Sequence, residues 1–403
     1  MKITALETIQ LREYPNLLWV QIHTDEGLVG LGETFRGADA VAGQLHGLVA
    51  PYLLSKDPLH IERHNHALIN GMLGFASTGA ELRAASAVDI ALWDIFGQAT
   101  GQPIHQLLGG LSRESIRVYN TCAGYTYNNR AARKREVDPD GNERPQGRYD
   151  DQVAFVATPA ELAHSLIEEG YAAMKIWPFD VFAERSGGQY ISAAELRRGL
   201  EPFEKIRAAV GDRIDIMCEF HSMWDLPTAK YIASALEPLR PYWSEDPIKM
   251  NNVAALREYA LSTRIPVCAS ETMGPRTAFR DLLEAQATSV VMLDLGWCGG
   301  LSEARKIAAM AQAYQRPIAP HDCTGPVVLI ASLHLSLHAP NAVFQEVVRA
   351  FLNGYYRELV SELPLVKDGV AFPMAGAGLG TTLLPGLRNR EDAIIRRSDL
   401  ADR

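Results

Sequence analysis

Three glutamates follow short apolar runs at even intervals near the middle of the chain. Glu219 follows IMC, Glu245 follows YWS and Glu271 follows VCAS, and successive members are 26 residues apart. Because neighbouring parallel strands lie about 4.8 Å apart, side chains at three successive strand ends can converge on one point. Buried carboxylates are costly unless they are paired or bind a cation, and oxygen ligands suit Mg²⁺. The spacing predicts a magnesium site; the alternative is three unrelated solvated glutamates.

Polar side chains also end the next three apolar runs. Asp294 ends VVMLD, His321 ends PIAPH and Glu346 lies in VFQEVV. An aspartate one strand away from a histidine can accept the second N–H of the imidazole, which fixes the tautomer and raises the basicity. Opposite three carboxylates of the metal-binding type, His321 and Asp294 are predicted to form a catalytic acid–base pair rather than a structural contact.

Two more candidates lie close to the glutamates in the predicted strands. Lys175 closes the run AAMK, and His221 comes two residues after Glu219. Lys175 is either a lysine whose ammonium reaches solvent or an inward cation near developing negative charge. His221 would point to the same side as Glu219 if the strand continues. It could be a fourth ligand, a solvated residue or a second acid–base group, and the preference of magnesium for oxygen disfavours the ligand role.

Short apolar runs alternate with amphipathic helices from about residue 113 almost to residue 350. Eight parallel strands joined by helices predict a (β/α)₈ barrel, whose active site lies at the carboxyl ends of the strands. A doubly wound sheet is the alternative, but no GxGxxG or GxxxxGK[ST] turn follows any strand. The candidate strands are 116–122, 172–177, 214–220, 242–246, 267–271, 290–294, 318–321 and 343–347.

The residues before this alternation have a different pattern. Three strand-like segments within the first 32 residues precede a helical region over 39–108, where residues 82–98 place apolar side chains on one helix face. Strands followed by helices indicate an α+β domain. We therefore expect an N-terminal α+β domain over 1–112, a barrel over 113–355 and a segment over 356–403 that packs back on the first domain.

A long polar segment, residues 124–153, interrupts the alternation after the first barrel strand. It is either a surface insertion or a flap over the substrate, because it leaves the carboxyl end of a barrel strand. Within it, Arg148 and Tyr149 are candidates for binding substrate hydroxyls or assisting His221. Loops at 12–18 and 73–78 of the N-terminal domain are further candidates for setting specificity.

The overall composition is that of an acidic globular protein. The 403 residues carry a formal net charge of −9, which argues against nucleic acid or an anionic membrane as the main partner. No apolar run is long enough to span a bilayer, and the N-terminus lacks a signal-peptide pattern, so we expect a cytoplasmic protein. Five cysteines without CxxC spacing indicate neither a disulfide framework nor a zinc knuckle.

The ordered set of residues resembles the enolase superfamily, mandelate racemase subgroup, over nearly the full length. The helix motif AASAVDIALWDIFGQATGQPIHQLLGG at 84–110 is similar to the capping-domain signature of that subgroup. The resemblance implies a capping domain over a (β/α)₇β barrel, one Mg²⁺, removal of the proton alpha to a carboxylate, and homo-oligomers. It implies metal ligands at Glu219, Glu245 and Glu271, an acid–base dyad of Asp294 and His321, and a bond from Glu346 to the substrate carboxylate.

Departures from that pattern indicate the reaction. Racemases and cycloisomerases of the subgroup present Lys-x-Lys on the second barrel strand, whereas this chain has Lys175-Ile176-Trp177. Tryptophan cannot abstract a proton, so a second acid–base group must come from elsewhere, and His221 offers one. This resembles the acid-sugar dehydratases of the mannonate and galactonate types. Glu219 stands where aspartate is more usual; its longer side chain still ligates.

The resemblance implies Mg²⁺-dependent dehydration of an aldonate to a 2-keto-3-deoxy acid. His321 would remove the C2 proton and His221 would protonate the departing 3-hydroxyl, or the two histidines would exchange these roles, because the stereochemistry at C2 selects the face of attack. Lys175 and Glu346 would stabilise the developing charge, and Trp177 would contact substrate. Racemisation or epimerisation by the two histidines stays open, as does a metal-binding scaffold with low activity. A zinc hydrolase barrel is disfavoured because IRVYNTCAG lacks the HxH pair expected after the first strand.

Overall fold

The computed structural model describes residues 1–71, 78–129, 138 and 141–400. In these residues the strands are β1 (Ile3–Leu11), β2 (Leu17–Thr24), β3 (Val29–Phe35), β4 (Ile116–Thr121), β5 (Ala173–Ile176), β6 (Asp215–Glu219), β7 (Ser244–Glu245), β8 (Val267–Ala269), β9 (Val290–Leu293), β10 (Ile318–Pro320), β11 (Gln345–Val347), β12 (Val366–Lys367), β13 (Val370–Ala371) and β14 (Ala393–Asp399).

The α-helices follow the same chain order. They are α1 (Ala38–Gln44), α2 (Ala50–Leu53), α3 (Ile61–Ile69), α4 (Ala80–Thr100), α5 (Ile104–Leu107), α6 (Asp151–Ala157), α7 (Pro159–Glu168), α8 (Asp180–Ser186), α9 (Ala193–Val210), α10 (Leu226–Leu236), α11 (Val253–Ser262), α12 (Arg276–Glu284), α13 (Gly300–Ala313), α14 (Pro326–His338) and α15 (Arg349–Leu352). No described helix combines the length and the apolar character needed to cross a bilayer.

An antiparallel sheet of order β14-β1-β2-β3 forms the N-terminal domain with α4 packed against it. Gly30 and Gly32 on β3 permit this contact, because a Cβ would lie 2.1 Å from the Ala91 carbonyl oxygen at the first glycine and 1.9 Å from that of Ala87 at the second. Strand β14 pairs with β1 from Ala393 to Asp399. The C-terminal residues thus complete the N-terminal domain, as the sequence predicts.

The predicted eight barrel strands are confirmed, each shorter than the apolar run that indicated it. Strands β4 to β10 pair in parallel with their sequence neighbours, and β11 pairs in parallel with β4. A parallel bridge between Ile318 and Ala342 joins β10 to the segment just before β11. The ring is therefore closed, and β6 and β10 stand on opposite sides of it.

Apolar residues inside the barrel lie two positions before most of the functional candidates. Successive strand residues alternate in direction, so residues i and i+2 both point inward. Tyr119, Ala173, Met217, Trp243, Met292, Ala319 and Phe344 belong to one buried cluster, and two residues after them come Thr121, Lys175, Glu219, Glu245, Asp294, His321 and Glu346. The candidates therefore form the polar layer above an apolar one, at the carboxyl ends of the strands.

Two carboxylates of the N-terminal domain bind the amino ends of barrel helices. Glu33 on β3 accepts the backbone N–H groups of Val327 and Val328 at the start of α14, and Asp89 on α4 accepts that of Ser302 at the start of α13. Helix amino ends favour negative charge because their N–H groups lack intrahelical partners. These contacts attach the N-terminal domain to the helices that follow Asp294 and His321.

Candidate active site

The three predicted metal-site glutamates come together. Glu219, Glu245 and Glu271 each offer a carboxylate oxygen, and these oxygens lie within 4.8 Å of one another. Glu219 and Glu245 occupy the inward position at the ends of β6 and β7, whereas β8 ends at Ala269, so Glu271 lies beyond its strand. The sequence prediction of a strand that runs to Glu271 is wrong, although Glu271 reaches the cluster.

The ammonium group of Lys175 lies among the carboxylates. Its Nζ is 2.5 Å from Glu245 Oε1, 2.9 Å from Glu346 Oε1 and 3.4 Å from Glu219 Oε2. Burial alone would lower the pKa of Lys175, but these neighbours raise it well above its ordinary value. Lys175 is thus an inward cation, and Thr121 and the Asp322 N–H also bond Glu346.

His321 and Asp294 form the predicted dyad. His321 Nδ1 lies 2.7 Å from Asp294 Oδ2, and its Nε2 lies 2.7 Å from Glu271 Oε2. Burial opposes charging of the ring, but Glu271, Glu346 and Asp294 raise the pKa of His321 well above its ordinary value. The indole of Trp297 stacks on the imidazole with ring centroids 5.5 Å apart, and its Nε1 donates to the Phe35 carbonyl. The N-terminal domain therefore helps to hold His321.

On the opposite side of the barrel, His221 forms a second pair with an aspartate. His221 Nδ1 lies 2.6 Å from Oδ2 of Asp180, the first residue of α8. Burial opposes charging, but Asp180 and Glu219 raise the pKa of His221 to about 9. The Trp177 ring packs edge-on against His221 at 5.6 Å between centroids. Strand β6 ends at Glu219 and His221 has a φ of 48°, so strand alternation does not set the direction of His221, although both residues line one pocket.

One pocket contains most of these side chains. Tyr127 and Asn128 of the 124–153 segment enter its wall, and Phe35 and Arg36 enter it from the N-terminal domain. The other lining residues are Thr121, Lys175, Trp177, Glu219, His221, Glu271, Trp297, His321, Cys323, Thr324 and Glu346. The pocket thus joins the predicted metal site to both histidines.

Arg148 and Tyr149 do not reach this pocket, contrary to the role predicted for them. Arg148 is 58% exposed and pairs with Glu169, with Nη2 2.8 Å from Oε1. Tyr149 packs against Tyr125. Arg148 and Tyr149 line a separate surface groove near Asn353. Most of the predicted specificity loop at 73–78 lies outside the described residues, as does part of 124–153.

Sequence reasoning missed several residues at the pocket. Asp180 follows Trp-Pro-Phe without any spacing signal, and Arg36 comes from a different domain. Arg36 has a φ of 72°, uncommon for a residue with a Cβ and more frequent at functional sites. The signal that could have marked Asp180 is a polar residue directly after a strand-end motif, here AMKIWPF.

Comparisons with known proteins agree with this fold. Residues 3–109 match the mandelate racemase / muconate lactonizing enzyme N-terminal domain, and residues 158–387 match the enolase C-terminal domain-like family. The chain is 32% identical to the D-galactonate dehydratase of Ralstonia nicotianae over 96% of this chain and 91% of that protein. It is also 32% identical to the D-galactonate dehydratase of Cronobacter sakazakii over 100% of this chain and 96% of that protein.

Solved structures include a near relative. An enolase of the mandelate racemase subgroup from Agrobacterium tumefaciens, solved with a succinimide residue, sodium and phosphate, is 54% identical over 100% of both chains, with a TM-score of 0.89. An enolase superfamily member from Salmonella Typhimurium is 28% identical with a TM-score of 0.86, covering 99% of this chain and 100% of that one. The chain therefore belongs to the mandelate racemase / muconate lactonizing enzyme family of the enolase superfamily. It is a carbon–oxygen lyase of the hydro-lyase type.

Proposed function

We propose that the protein dehydrates an aldonate, removing the proton alpha to the carboxylate and the 3-hydroxyl to give a 2-keto-3-deoxy acid. The observation that carries this proposal is a carboxylate cluster flanked by histidine–aspartate pairs on opposite sides of one barrel. Histidines above and below a bound acid can serve as base and acid for elimination. The D-galactonate dehydratase names of the relatives support an acid sugar as the substrate class.

The donor set fits a divalent cation. Three carboxylate oxygens lie within 4.8 Å of one another beside the ammonium of Lys175, and burial together with Glu219 raises the pKa of Glu245 well above its ordinary value. Hard oxygen ligands of this kind favour Mg²⁺. We propose that Glu219, Glu245 and Glu271 hold Mg²⁺. When bound there, the ion supplies positive charge to the substrate carboxylate as the alpha carbon becomes anionic.

His321 is proposed as the base that removes the C2 proton. Asp294 accepts from Nδ1, so Nε2 is the atom that faces the pocket and takes the proton. In this structure Glu271 Oε2 lies 2.7 Å from Nε2. Nε2 becomes available to the substrate once Glu271 binds the cation instead. Lys175 and Glu346, joined at 2.9 Å, lie beside the glutamates and are proposed to receive the substrate carboxylate and its developing charge.

His221 is proposed as the acid that protonates the departing 3-hydroxyl. Strands β6 and β10 are on opposite sides of the ring, so His221 and His321 approach a substrate from opposite faces. Trp177, in place of a second lysine, packs on the His221 ring and contacts the same pocket. This arrangement suits removal of the proton and the hydroxyl from opposite sides of the carbon chain. General acid or base assistance of this type contributes about 10²–10⁴-fold.

The test is a screen of the purified protein with Mg²⁺ against aldonic and aldaric acids in D₂O. Formation of a 2-keto-3-deoxy acid and deuterium uptake at C2 are followed together. We expect keto acid from one stereochemical subset, lost with EDTA and in His321→Asn. Arg148→Ala is the matched control outside the pocket, and it should keep activity within about two-fold.

The same screen separates the other candidates. Deuterium uptake with a product of unchanged mass would replace dehydration by racemisation or epimerisation, which two opposed histidines can also perform. Bound Mg²⁺ without product or exchange on any acid would support a metal-binding scaffold and overturn the proposal. A cytoplasmic location and a homo-oligomeric state stay predictions.

A further inference from the structure

Asp180 has the same relation to His221 that Asp294 has to His321. In both pairs a carboxylate Oδ2 meets the histidine Nδ1, at 2.6 Å for Asp180 and 2.7 Å for Asp294. These are short, charge-assisted hydrogen bonds. The two aspartates reach their histidines differently, since Asp294 directly follows the neighbouring strand β9 whereas Asp180 begins helix α8 after β5.

The bond to Asp180 determines which nitrogen of His221 is available. A carboxylate only accepts, so His221 Nδ1 carries a hydrogen, and Nε2 on the other edge of the ring is left for the pocket that His221 lines. Trp177 packs edge-on against the same ring and restricts its rotation. The ring is thus held by one polar and one aromatic contact.

Among the described residues, the Asp180 carboxylate has no side-chain hydrogen-bond partner other than His221. Its Oδ1 is buried and has no hydrogen-bond partner there, so the bond to His221 is the one described contact of this carboxylate. Buried carboxylates that only stabilise a fold usually have both oxygens bonded. Asp151 is such a case, because its two oxygens bind Arg349.

We propose that Asp180 is the positioning residue of a second histidine–aspartate dyad, and that it sets the tautomer and direction of His221 for proton delivery to the leaving hydroxyl. This inference rests on the proposed dehydration. The dyads then have separate tasks: His321 with Asp294 breaks the C2–H bond, while His221 with Asp180 supplies the proton with which the C3 hydroxyl leaves as water. The electron pair of the C–H bond becomes the new carbon–carbon double bond.

Asp180→Asn tests this division in D₂O. The amide can donate to Nδ1 and so favour the wrong tautomer, and we expect dehydration to fall about 10- to 100-fold. Deuterium uptake at C2 of recovered substrate should persist and rise relative to turnover, because the anion returns to substrate when elimination is slow. Asp294→Asn is the matched control and should lose exchange and dehydration together. Equal loss of both in Asp180→Asn, or loss of neither, would overturn the proposal.

A second measurement needs no substrate. Protein labelled with ¹⁵N-histidine reports the tautomer of each ring by NMR, and His221→Asn identifies the His221 signals. In spectra recorded at a pH high enough to leave the His221 ring neutral, we expect a protonated Nδ1 in the wild type and a shift toward the other tautomer in Asp180→Asn. Unchanged His221 signals would refute the dyad. If the wild type turns over no acid, the proposed function fails, and these signals alone decide the role of Asp180.

Discussion

Acid should destabilise the folded protein through His334, which is buried on α14 with a defined tautomer. His334 Nε2 donates to the Leu379 carbonyl at 3.2 Å, so Nδ1 is left to accept. The backbone N–H of His105 approaches this nitrogen at 3.3 Å, and His105 Nδ1 lies 3.1 Å from it. Burial and the neighbouring His105 lower the pKa of His334 to about 3. Protonation would bury a charge and remove the acceptor.

The sign and size of the effect follow from proton linkage. In the unfolded chain His334 has a pKa of about 6.5, so between pH 6.5 and 3 the unfolded state binds a proton that the folded state does not. The free energy of unfolding is therefore highest above pH 6.5 and falls as the pH decreases. Between pH 7.5 and pH 5 this one histidine should cost about 2 kcal/mol.

His334→Gln removes the titration and keeps a donor and an acceptor at this position. The measurement is denaturant unfolding of both proteins at pH 7.5 and pH 5 at one ionic strength. We expect the stability difference between wild type and variant to shrink by about 2 kcal/mol at the lower pH. His46, whose pKa burial lowers to about 4, titrates in both proteins and cancels. A difference that does not change with pH would refute the reasoning.

Three further predictions concern the contacts around the site. Glu33 accepts hydrogen bonds from three N–H groups, including Trp19 Nε1. Glu33→Gln places an amide donor opposite one of these donors and should lower the unfolding free energy by about 1–3 kcal/mol, measured by denaturant titration. Asp151→Asn removes the buried carboxylate that binds Arg349 through both oxygens and leaves Glu169, at 3.3 Å, as the remaining carboxylate partner of this arginine. This loss should cost about 3–5 kcal/mol while kcat per folded molecule, from active-site titration, stays within two-fold; a large loss of kcat would contradict this separation. Mg²⁺ at 100 times its Kd should stabilise the protein by about 2.7 kcal/mol in thermal shift assays. Glu245→Gln should abolish most of that gain, and an undiminished gain would place the ion elsewhere.

Much of the fold and part of the site could be predicted because they depend on local periodicity. Each of the eight barrel strands leaves an apolar run in the sequence, and Glu219, Glu245, Asp294 and Glu346 follow such runs at the inward position. Strand alternation does not apply where the chain leaves the strand. Glu271 comes after β8 has ended, and His221 adopts a positive φ, so alternation no longer sets their direction.

Contacts between distant segments had no local signal. Asp180 meets His221 across 41 residues, and Glu33 bonds the start of α14 across 294. The predicted roles of Arg148 and Tyr149 are wrong for a different reason. Their place in a polar loop after a barrel strand suggested contact with substrate, but Arg148 pairs with Glu169 at the surface.

The sequence by itself determined the chemistry that is available: oxygen ligands for a cation, two histidines and a lysine, each following an apolar run. Hydrophobic periodicity specifies which residues face the barrel interior, because burial of the apolar positions brings the polar ones to the strand ends. The sequence also indicated the Asp294–His321 pair, whereas only the tertiary structure decided the contacts that leave no local pattern. Hydrogen bonds require atoms within about 3 Å, and closure of the barrel and docking of the N-terminal domain bring Asp180 to His221 and Trp297 onto His321.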